Sequence, residues 1–328
     1  MPTPMSLAIL PNDEQPPVDE RPISEIIALL RTGPVRATDV ARLSDLDRAG
    51  AGALAEAWPR YDEATRIAIV RLMEALAEER VELIFSRALR PALEDDSPVV
   101  RQVAIAALWE DASTDLLDRL LNMLESDPSI DARAEAAKGL GHFAALAAAD
   151  ELDDTQADAL RARLLDAATD PEQSSVIQRR AIEAVGAFGK DDEVREAIET
   201  AHGSEDQSMQ ASALFAMGRS HDPYWLDLLL GELASGEAEL RFEAARACGL
   251  VGHDDLVPEL IALCDDEDME VRHAAITSLG QIGGRAAVRV LESLAAAADA
   301  AEATADLELI AAAIEEAQLN VEQPRGGL

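Results

Sequence analysis

Four side chains of types that commonly bind zinc lie close together in the last third of this 328-residue sequence. They fall within 26 residues and are Cys248, His253, Cys264 and His273. In other copies of a repeated segment, the position of Cys248 holds apolar side chains: Leu108, Leu140, Val185, Met217 and Leu279. That position belongs to a core, so Cys248 is interpreted as a small buried apolar residue. Cys264 ends an apolar helix in the same manner, and no zinc site is predicted.

Carboxylates are abundant and could supply an acid–base pair for catalysis. Most of them fall in turns between apolar runs, such as DDEDME and ESDPSID, or in the first turn of the helix that follows. In those places they can cap backbone N–H groups and interact favourably with the helix dipole. No nucleophile spaced from a base, phosphate-binding glycine loop or nucleotide fingerprint accompanies them. We therefore predict no catalytic residues, no metal and no cofactor.

The charge balance limits the classes of partner that the chain can bind. The chain has 64 acidic and 28 basic residues, a net charge of -36. Proteins that bind nucleic acid gain affinity by neutralising phosphates, and a field this negative repels nucleic acid and anionic lipid. Two cysteines are too few for a disulfide framework, and neither a leader pattern nor a run of 18 apolar residues occurs. We expect a cytoplasmic protein that binds neither nucleic acid nor membranes.

A repeated segment must position these side chains. Seven copies align on the Arg or Gln that opens each: Arg66, Arg101, Arg133, Gln178, Gln210, Arg241 and Arg272. The spacings are 35, 32, 45, 32, 31 and 31 residues. Apolar residues recur three and four apart in each copy, and a second apolar run precedes it across an acidic turn. Each unit is read as helix A, turn, helix B and a glycine-bearing exit such as Gly249, Gly252 or Gly280. The predicted fold class is all-α, an α-α superhelix of about eight helix pairs.

The repeats resemble the HEAT/armadillo-like solenoids, specifically the bacterial HEAT-like branch named after phycobilisome lyases. The resemblance covers about residues 61–318 and rests on a turn Asp, a Val-Arg pair, an Ala and a Leu-Gly pair. In the best copy these are Asp268, Val271, Arg272, Ala275, Leu279 and Gly280, and Asp96, Val100 and Arg101 repeat the first three. Gln178 and Gln210 depart from the Arg, so a ladder of Asp–Arg contacts between repeats is expected to be interrupted there.

The resemblance implies a scaffold, because the family contains mostly scaffolds and few enzymes. HEAT-type hydroxylases hold metal with His-Glu pairs, whereas the five histidines here are followed by Phe, Gly, Asp, Asp and Ala. Lyase activity would need a chromophore partner. We therefore interpret the chain as a non-enzymatic scaffold that binds a protein or peptide. The alternative is an enzyme of the hydroxylase (oxidoreductase) or phycobilin-lyase-like class.

The chain is divided by composition into four parts. These are a disordered tail (1–21), a helical N-terminal cap (22–60), the repeat array (61–319) and a flexible C-terminal tail (320–328). In the cap, Ser44 and Asp47 have the spacing of a capping box. The long spacing after Arg133 contains an insertion, 143–158. It forms either a protruding functional loop or a longer helix A with its connection.

A partner site is predicted on the B helices, which line the concave face in solenoids of this family. Counting from the glycine in each copy gives the positions expected to be exposed there, and their net charge is less acidic than that of the whole chain. The candidate residues are Lys138, His142, Arg179, Phe215, Arg219, Phe242, Arg246, His273 and Gln281. Arg and aromatic side chains dominate interface energetics. We expect Arg219 and Arg246, flanked by two phenylalanines, to form an exposed patch for an acidic or C-terminal peptide.

Overall fold

A computed structural model describes residues 21–300 and 304–322. Within these residues the chain forms α-helices and short 3-10 helices and contains no strand, so the predicted all-α class is confirmed. Two compact units divide the chain, one ending at Leu108 and the other starting at Trp109. The described residues of each unit are treated separately below. The tail predicted over 1–21 lies outside the described residues except for Arg21.

The described residues of the first unit form six α-helices in two layers. They are α1 (Ile23–Thr32), α2 (Ala37–Ala41), α3 (Arg48–Ala57), α4 (Glu63–Glu79), α5 (Ser86–Leu89) and α6 (Pro98–Ala106). The odd-numbered helices α1, α3 and α5 pack in sequence, as do α2, α4 and α6. The capping box predicted from Ser44 and Asp47 is wrong. Asp47 itself caps α3 by accepting from the Gly50 N–H, while the Ser44 hydroxyl accepts from the Ile84 N–H.

In the second unit, residues 109–300 and 304–322 form twelve α-helices in six consecutive pairs. The A helices are α7 (Thr114–Ser126), α9 (Asp154–Thr169), α11 (Asp192–His202), α13 (Leu226–Glu232), α15 (Val257–Leu263) and α17 (Gly284–Ala300). The B helices are α8 (Ile130–Ala148), α10 (Ser175–Val185), α12 (Gln207–Arg219), α14 (Ala238–Val251), α16 (Met269–Ile282) and α18 (Thr304–Glu322). Each B helix packs on the next, which forms a continuous layer.

We call the position that Cys248 occupies in each copy of the repeat the core column. As predicted, this column forms the core of the layer. Its members in the second unit are fully buried: Leu140, Val185, Met217, Cys248 and Leu279. Such short helices are marginal alone, and burial of this column against the neighbouring repeat stabilises them.

The glycines within the B helices are packing residues rather than helix exits. A Cβ on Gly218 would lie 2.8 Å from the Cα of Ala247, and one on Gly280 would lie 2.9 Å from the Cα of Ala313. The absence of a side chain therefore lets each B helix approach the backbone of the next. Of the three predicted exits, only Gly252 ends a helix, with a positive φ of 71° at the end of α14.

An Arg or Gln near the start of a B helix donates a hydrogen bond to the turn that precedes that helix. The side chain of Arg272 donates to the Asp266 carbonyl at 2.8 Å, and that of Gln210 donates to the Ser204 carbonyl at 2.9 Å. Arg241 also reaches the next turn, where two of its nitrogens donate to the Asp266 carboxylate at 2.8 Å each. The shorter Gln178 amide donates to the Asp170 carbonyl of its own turn. The two repeats that carry Gln therefore keep the hydrogen bond to their own turn but lack a side-chain contact to the carboxylate of the next turn.

The insertion 143–158 lengthens two helices. Instead of extending helix A alone, it carries α8 through Ala148 and supplies the start of α9 at Asp154. The connection between them is short and includes Asp150, which has a positive φ of 59°. At the other end of the unit, α18 continues through Glu322, so residues 320–322 of the predicted tail are helical. The Asn320 amide donates to the Gln281 carbonyl at 2.9 Å, and 323–328 lie outside the described residues.

Candidate functional site

Four consecutive B helices, α8, α10, α12 and α14, enclose a cavity of about 330 Å³. Five of the predicted partner-binding residues line it: Lys138, Arg179, Phe215, Arg219 and Arg246. Arg180, Glu183, Ser212, Glu239 and Glu243 line it as well. The lining therefore has five cationic and three carboxylate side chains in a chain of net charge -36. We call this cavity the cationic pocket.

A hydrogen-bond network fixes one wall of the cationic pocket. The Arg179 Nε donates to the Ser212 hydroxyl at 3.2 Å, and that hydroxyl donates to the Glu183 carboxylate at 2.8 Å. Arg180 forms an ion pair with the other oxygen of Glu183 at 2.6 Å. Because Glu183 is already satisfied by two neighbours, its charge is largely compensated within the wall.

Arg246 forms the opposite side of the cationic pocket between two aromatic rings. Its guanidinium carbon lies 5.5 Å from the ring centroids of both Phe215 and Phe242. It pairs with Glu243, one turn earlier on α14, at 3.1 Å. Burial raises the pKa of the Glu243 carboxyl, and Arg246 acts in the opposite direction. Since the Arg246 side chain is still 43% exposed, its positive charge remains accessible from outside.

Arg219 differs from the prediction that it is exposed. Its Nη2 donates to the Gly141 carbonyl at 2.7 Å, a contact that joins α12 to α8, two repeats earlier. A Cβ on Gly141 would lie 3.4 Å from the Arg219 Nη1 and 3.6 Å from the Cβ of Ala184 on α10. Burial lowers the pKa of the Arg219 guanidinium. Arg219 is therefore held inside the array and joins two repeats that are not consecutive.

A second cavity of about 410 Å³ adjoins the cationic pocket and shares Arg246 with it. It lies between α14 and α16 and contains three more of the predicted residues: Phe242, His273 and Gln281. The rest of the lining is partly apolar and contains one carboxylate: Leu250, Glu270, Ala274, Thr277 and Ser278. The His273 Nε2 lies 3.0 Å from an Asp306 carboxylate oxygen of α18. The two cavities form a continuous B-helix groove across α8 to α16.

Eight of the nine predicted residues thus line the B-helix groove, and His142 is the exception. It is half-buried and meets Phe143 edge-on, with ring centroids 5.6 Å apart. Only Lys138 and Arg246 are exposed, and the other predicted residues are half-buried. The prediction missed Arg180, Glu239 and Glu243. A search for opposite charges three residues apart on the B helices would have found two of these, since Arg180–Glu183 and Glu243–Arg246 have that spacing.

The candidate metal ligands are dispersed. Over residues 21–300 and 304–322, no group of three or more His, Cys, Asp and Glu side chains is arranged to hold a metal ion. Cys248 and Cys264 are buried free cysteines. Burial raises the pKa of Cys248 to about 12 and that of Cys264 to about 11, so both thiols stay protonated at neutral pH.

The part of the chain that the structure describes also contains no helix with the length and apolar character needed to cross a bilayer.

The sequence matches the family described as HEAT repeats over residues 86–170 and 226–311, which together make up more than half of the chain. A curated relative, bilin biosynthesis protein PecE from Nostoc sp. (strain PCC 7120 / SAG 25.82 / UTEX 2576), is 41% identical over 80 residues. That match covers 24% of this chain and about a third (32%) of the relative's length. Together they confirm the predicted resemblance to the phycobilisome-lyase branch.

Solved structures share the fold at low sequence identity. The complex of CpcE and CpcF of phycocyanin lyase from Nostoc sp. PCC7120 matches with a TM-score of 0.51 and 18% identity, over 86% of this chain and 98% of that chain. Kap95p bound to RanGDP also matches with a TM-score of 0.51, at 12% identity, over 90% of this chain and 45% of that chain. At these identities the likeness concerns the fold alone.

Proposed function

Because the chain belongs to the HEAT-repeat family, we propose that it is a non-enzymatic scaffold whose B-helix groove holds an acidic segment of a protein partner. One observation carries the proposal. A molecule of net charge -36 concentrates five cationic side chains around one cavity, with Arg246 placed between two phenylalanine rings. Long-range repulsion disfavours acidic partners everywhere else on such a surface, so a local cationic pocket supplies specificity.

The arrangement of charges supports binding rather than catalysis. Arg179, Arg180 and Glu183 are fixed by mutual contacts, which keeps the wall rigid when a ligand arrives. Arg246 is held by an exchangeable i,i+3 pair and by two aromatic faces. A carboxylate of the partner can share Arg246 with Glu243, while an apolar side chain can enter the adjoining cavity beside Leu250.

The test reverses the two exposed cations of the B-helix groove, Lys138→Glu with Arg246→Glu, and leaves the interior Arg219 unchanged. Tagged wild-type and variant proteins are used to capture partners from the native host, and the captured proteins are compared by quantitative mass spectrometry. We expect the partners enriched by wild type to fall at least tenfold, since two attractions become repulsions at the centre of the interface.

A matched control reverses two exposed acidic sites on A helices, Asp118→Arg and Glu259→Arg. The control should retain capture, and circular dichroism should show that all three proteins are folded. Unchanged capture by the folded groove variant would contradict the proposal.

A second candidate, an enzyme that acts on a bilin chromophore, rests on the 80-residue similarity to PecE. It predicts that an open-chain tetrapyrrole mixed with the purified chain shifts its visible absorption band. The hydroxylase-type alternative predicts bound iron in protein purified from the native host. A shifted band or stoichiometric iron would favour an enzyme over the scaffold.

A further inference from the structure

A second groove lies on the opposite side of the same repeats, between helices α9 and α11 and the starts of α10 and α12. Its cavity volume is about 530 Å³, within the size range of ligand sites in proteins. Apolar side chains make up its floor and walls: Leu165, Ala168, Ile182, Ala197, Ala201 and Met209. We call it the edge groove.

The edge groove lies where Gln replaces the opening Arg in two successive repeats. Gln178 lines it, and its amide turns back to the carbonyl of Asp170, as that of Gln210 does to the carbonyl of Ser204. Between α14 and α16, by contrast, the Arg241 guanidinium spans the two turns and pairs with Asp266. Because glutamine is shorter and uncharged, no such bridge fills the space between the two turns at the edge groove.

The neighbouring gap between α7 and α9 is of similar size, about 520 Å³, but has a different character. Arg133 and Arg163 line it, and an ion pair between Arg163 and Glu125 spans it. The lining of the edge groove contains neither basic residue, and the ion pair that joins α9 to α11, Arg161 with Glu193, lies at its exposed rim. Leu165 and Met209 are the half-buried members of its apolar lining, so part of that apolar surface is accessible to a partner.

The rim of the edge groove is negative. Glu193 and Glu196, both exposed on α11, are its charged lining residues. Glu193 has a weak partner in Arg161 at 3.4 Å, and Glu196 has no ion pair among the described residues. An apolar floor beside exposed carboxylates is complementary to a bulky apolar side chain next to a cation.

We propose that the edge groove binds a segment of a protein partner in which a bulky apolar residue is adjacent to Arg or Lys. The apolar side chain packs against Leu165 and Met209, and the cation pairs with Glu196. This surface does not depend on the B-helix groove, whose cationic pocket favours the opposite charge, so one chain can hold two chemically distinct segments.

The test uses methyl NMR on the full chain, because it detects weak binding at assigned positions. The probe is a synthetic, acetylated and amidated peptide, GSLRLRSG, compared with GSSRSRSG and GSLELESG. We expect the first peptide to shift the methyl signals of Leu165, Ile182 and Met209 in a saturable manner. The Leu250 methyl of the B-helix groove should not move, so failure here is distinguishable from failure of the proposed function.

Two variants sharpen the result. Thr200→Trp fills the edge groove from an exposed position and should abolish the shifts, and Glu196→Lys should weaken binding about five- to tenfold. Asp118→Lys, an exposed reversal on α7, is the matched control. Equal shifts with the serine or glutamate peptide, binding that survives Thr200→Trp, or unmoved signals with the first peptide would each overturn the proposal.

Discussion

Arginine–carboxylate pairs have different roles in two regions of the second unit. At the turns between A and B helices, Arg241 and Asp266 are both about nine-tenths buried and join consecutive repeats through two hydrogen bonds. In the B-helix groove, Arg246 pairs with Glu243 on the same helix and stays accessible. A pair within one helix can be exchanged for a ligand without separating two repeats, whereas a pair between repeats cannot. The position of a pair, more than its chemistry, decides whether it supports the fold or is available for binding.

The largest effect is expected at the turn. Asp266→Ala leaves the Arg241 guanidinium buried without its partner and removes an acceptor of the Asp268 N–H. Breaking a buried pair on one side costs about 3–5 kcal/mol. Urea unfolding of the variant should show this loss of the free energy of unfolding. The neighbouring exposed Asp265→Ala is the control and should stay within about 0.5 kcal/mol of wild type. If both variants behave alike, the bridge between repeats contributes little and the contrast with the groove fails.

The ion pair between Arg241 and Asp266 also makes the stability of the wild-type protein sensitive to acid. The hydrogen bond from Arg241 is the main cause that lowers the pKa of Asp266. A lowered pKa in the folded state means that the pair stabilises the protein above the ordinary Asp pKa of about 3.9 and that this contribution is lost as the pH falls through the folded value.

A smaller loss of stability is expected when Arg219 is substituted. Arg219 lines the B-helix groove, but, like Arg241 at the turn, it joins two repeats. Arg219→Ala removes a charged donor to the Gly141 carbonyl and the contact that joins α8 to α12. Hydrogen bonds to charged groups contribute about 1.5–3 kcal/mol, and relief of the burial of the charge offsets part of that, so the net loss should be about 1–2 kcal/mol. Arg246→Ala, the matched groove variant, should lose less than about 1 kcal/mol. Equal losses in urea unfolding would show that both arginines are structural.

The sequence could predict the repeat, the all-α class and the core column, because these depend on local periodicity. The burial of Arg219 could not be predicted in this way, since its acceptor lies 78 residues away in the chain. Counting from the glycine placed Arg219 and Arg246 on the same face but gave no information on how deeply each side chain is buried. The misreading of Gly249 and Gly280 has a related cause, because a glycine at the end of an apolar run fits both a helix exit and a close helix contact.

The smallest expected effect concerns Glu243, the partner of Arg246. Its side chain is only 17% exposed, and burial raises the pKa of its carboxyl in the folded state. The folded protein therefore binds the proton more readily than the unfolded chain, and the contribution of Glu243 to stability falls as the pH rises from the ordinary Glu pKa of about 4.3 through the folded value.

Glu243→Gln carries no charge at any pH and lacks this dependence. Relative to wild type, the variant should gain up to about 1 kcal/mol in the free energy of unfolding between about pH 4.5 and about pH 7.5. Urea unfolding at both pH values measures the difference, with the exposed Glu259→Gln as the control. A variant that instead becomes less stable than wild type at neutral pH would mean that the pair with Arg246 outweighs the cost of burial, and the contrast between groove and turn would then be one of degree.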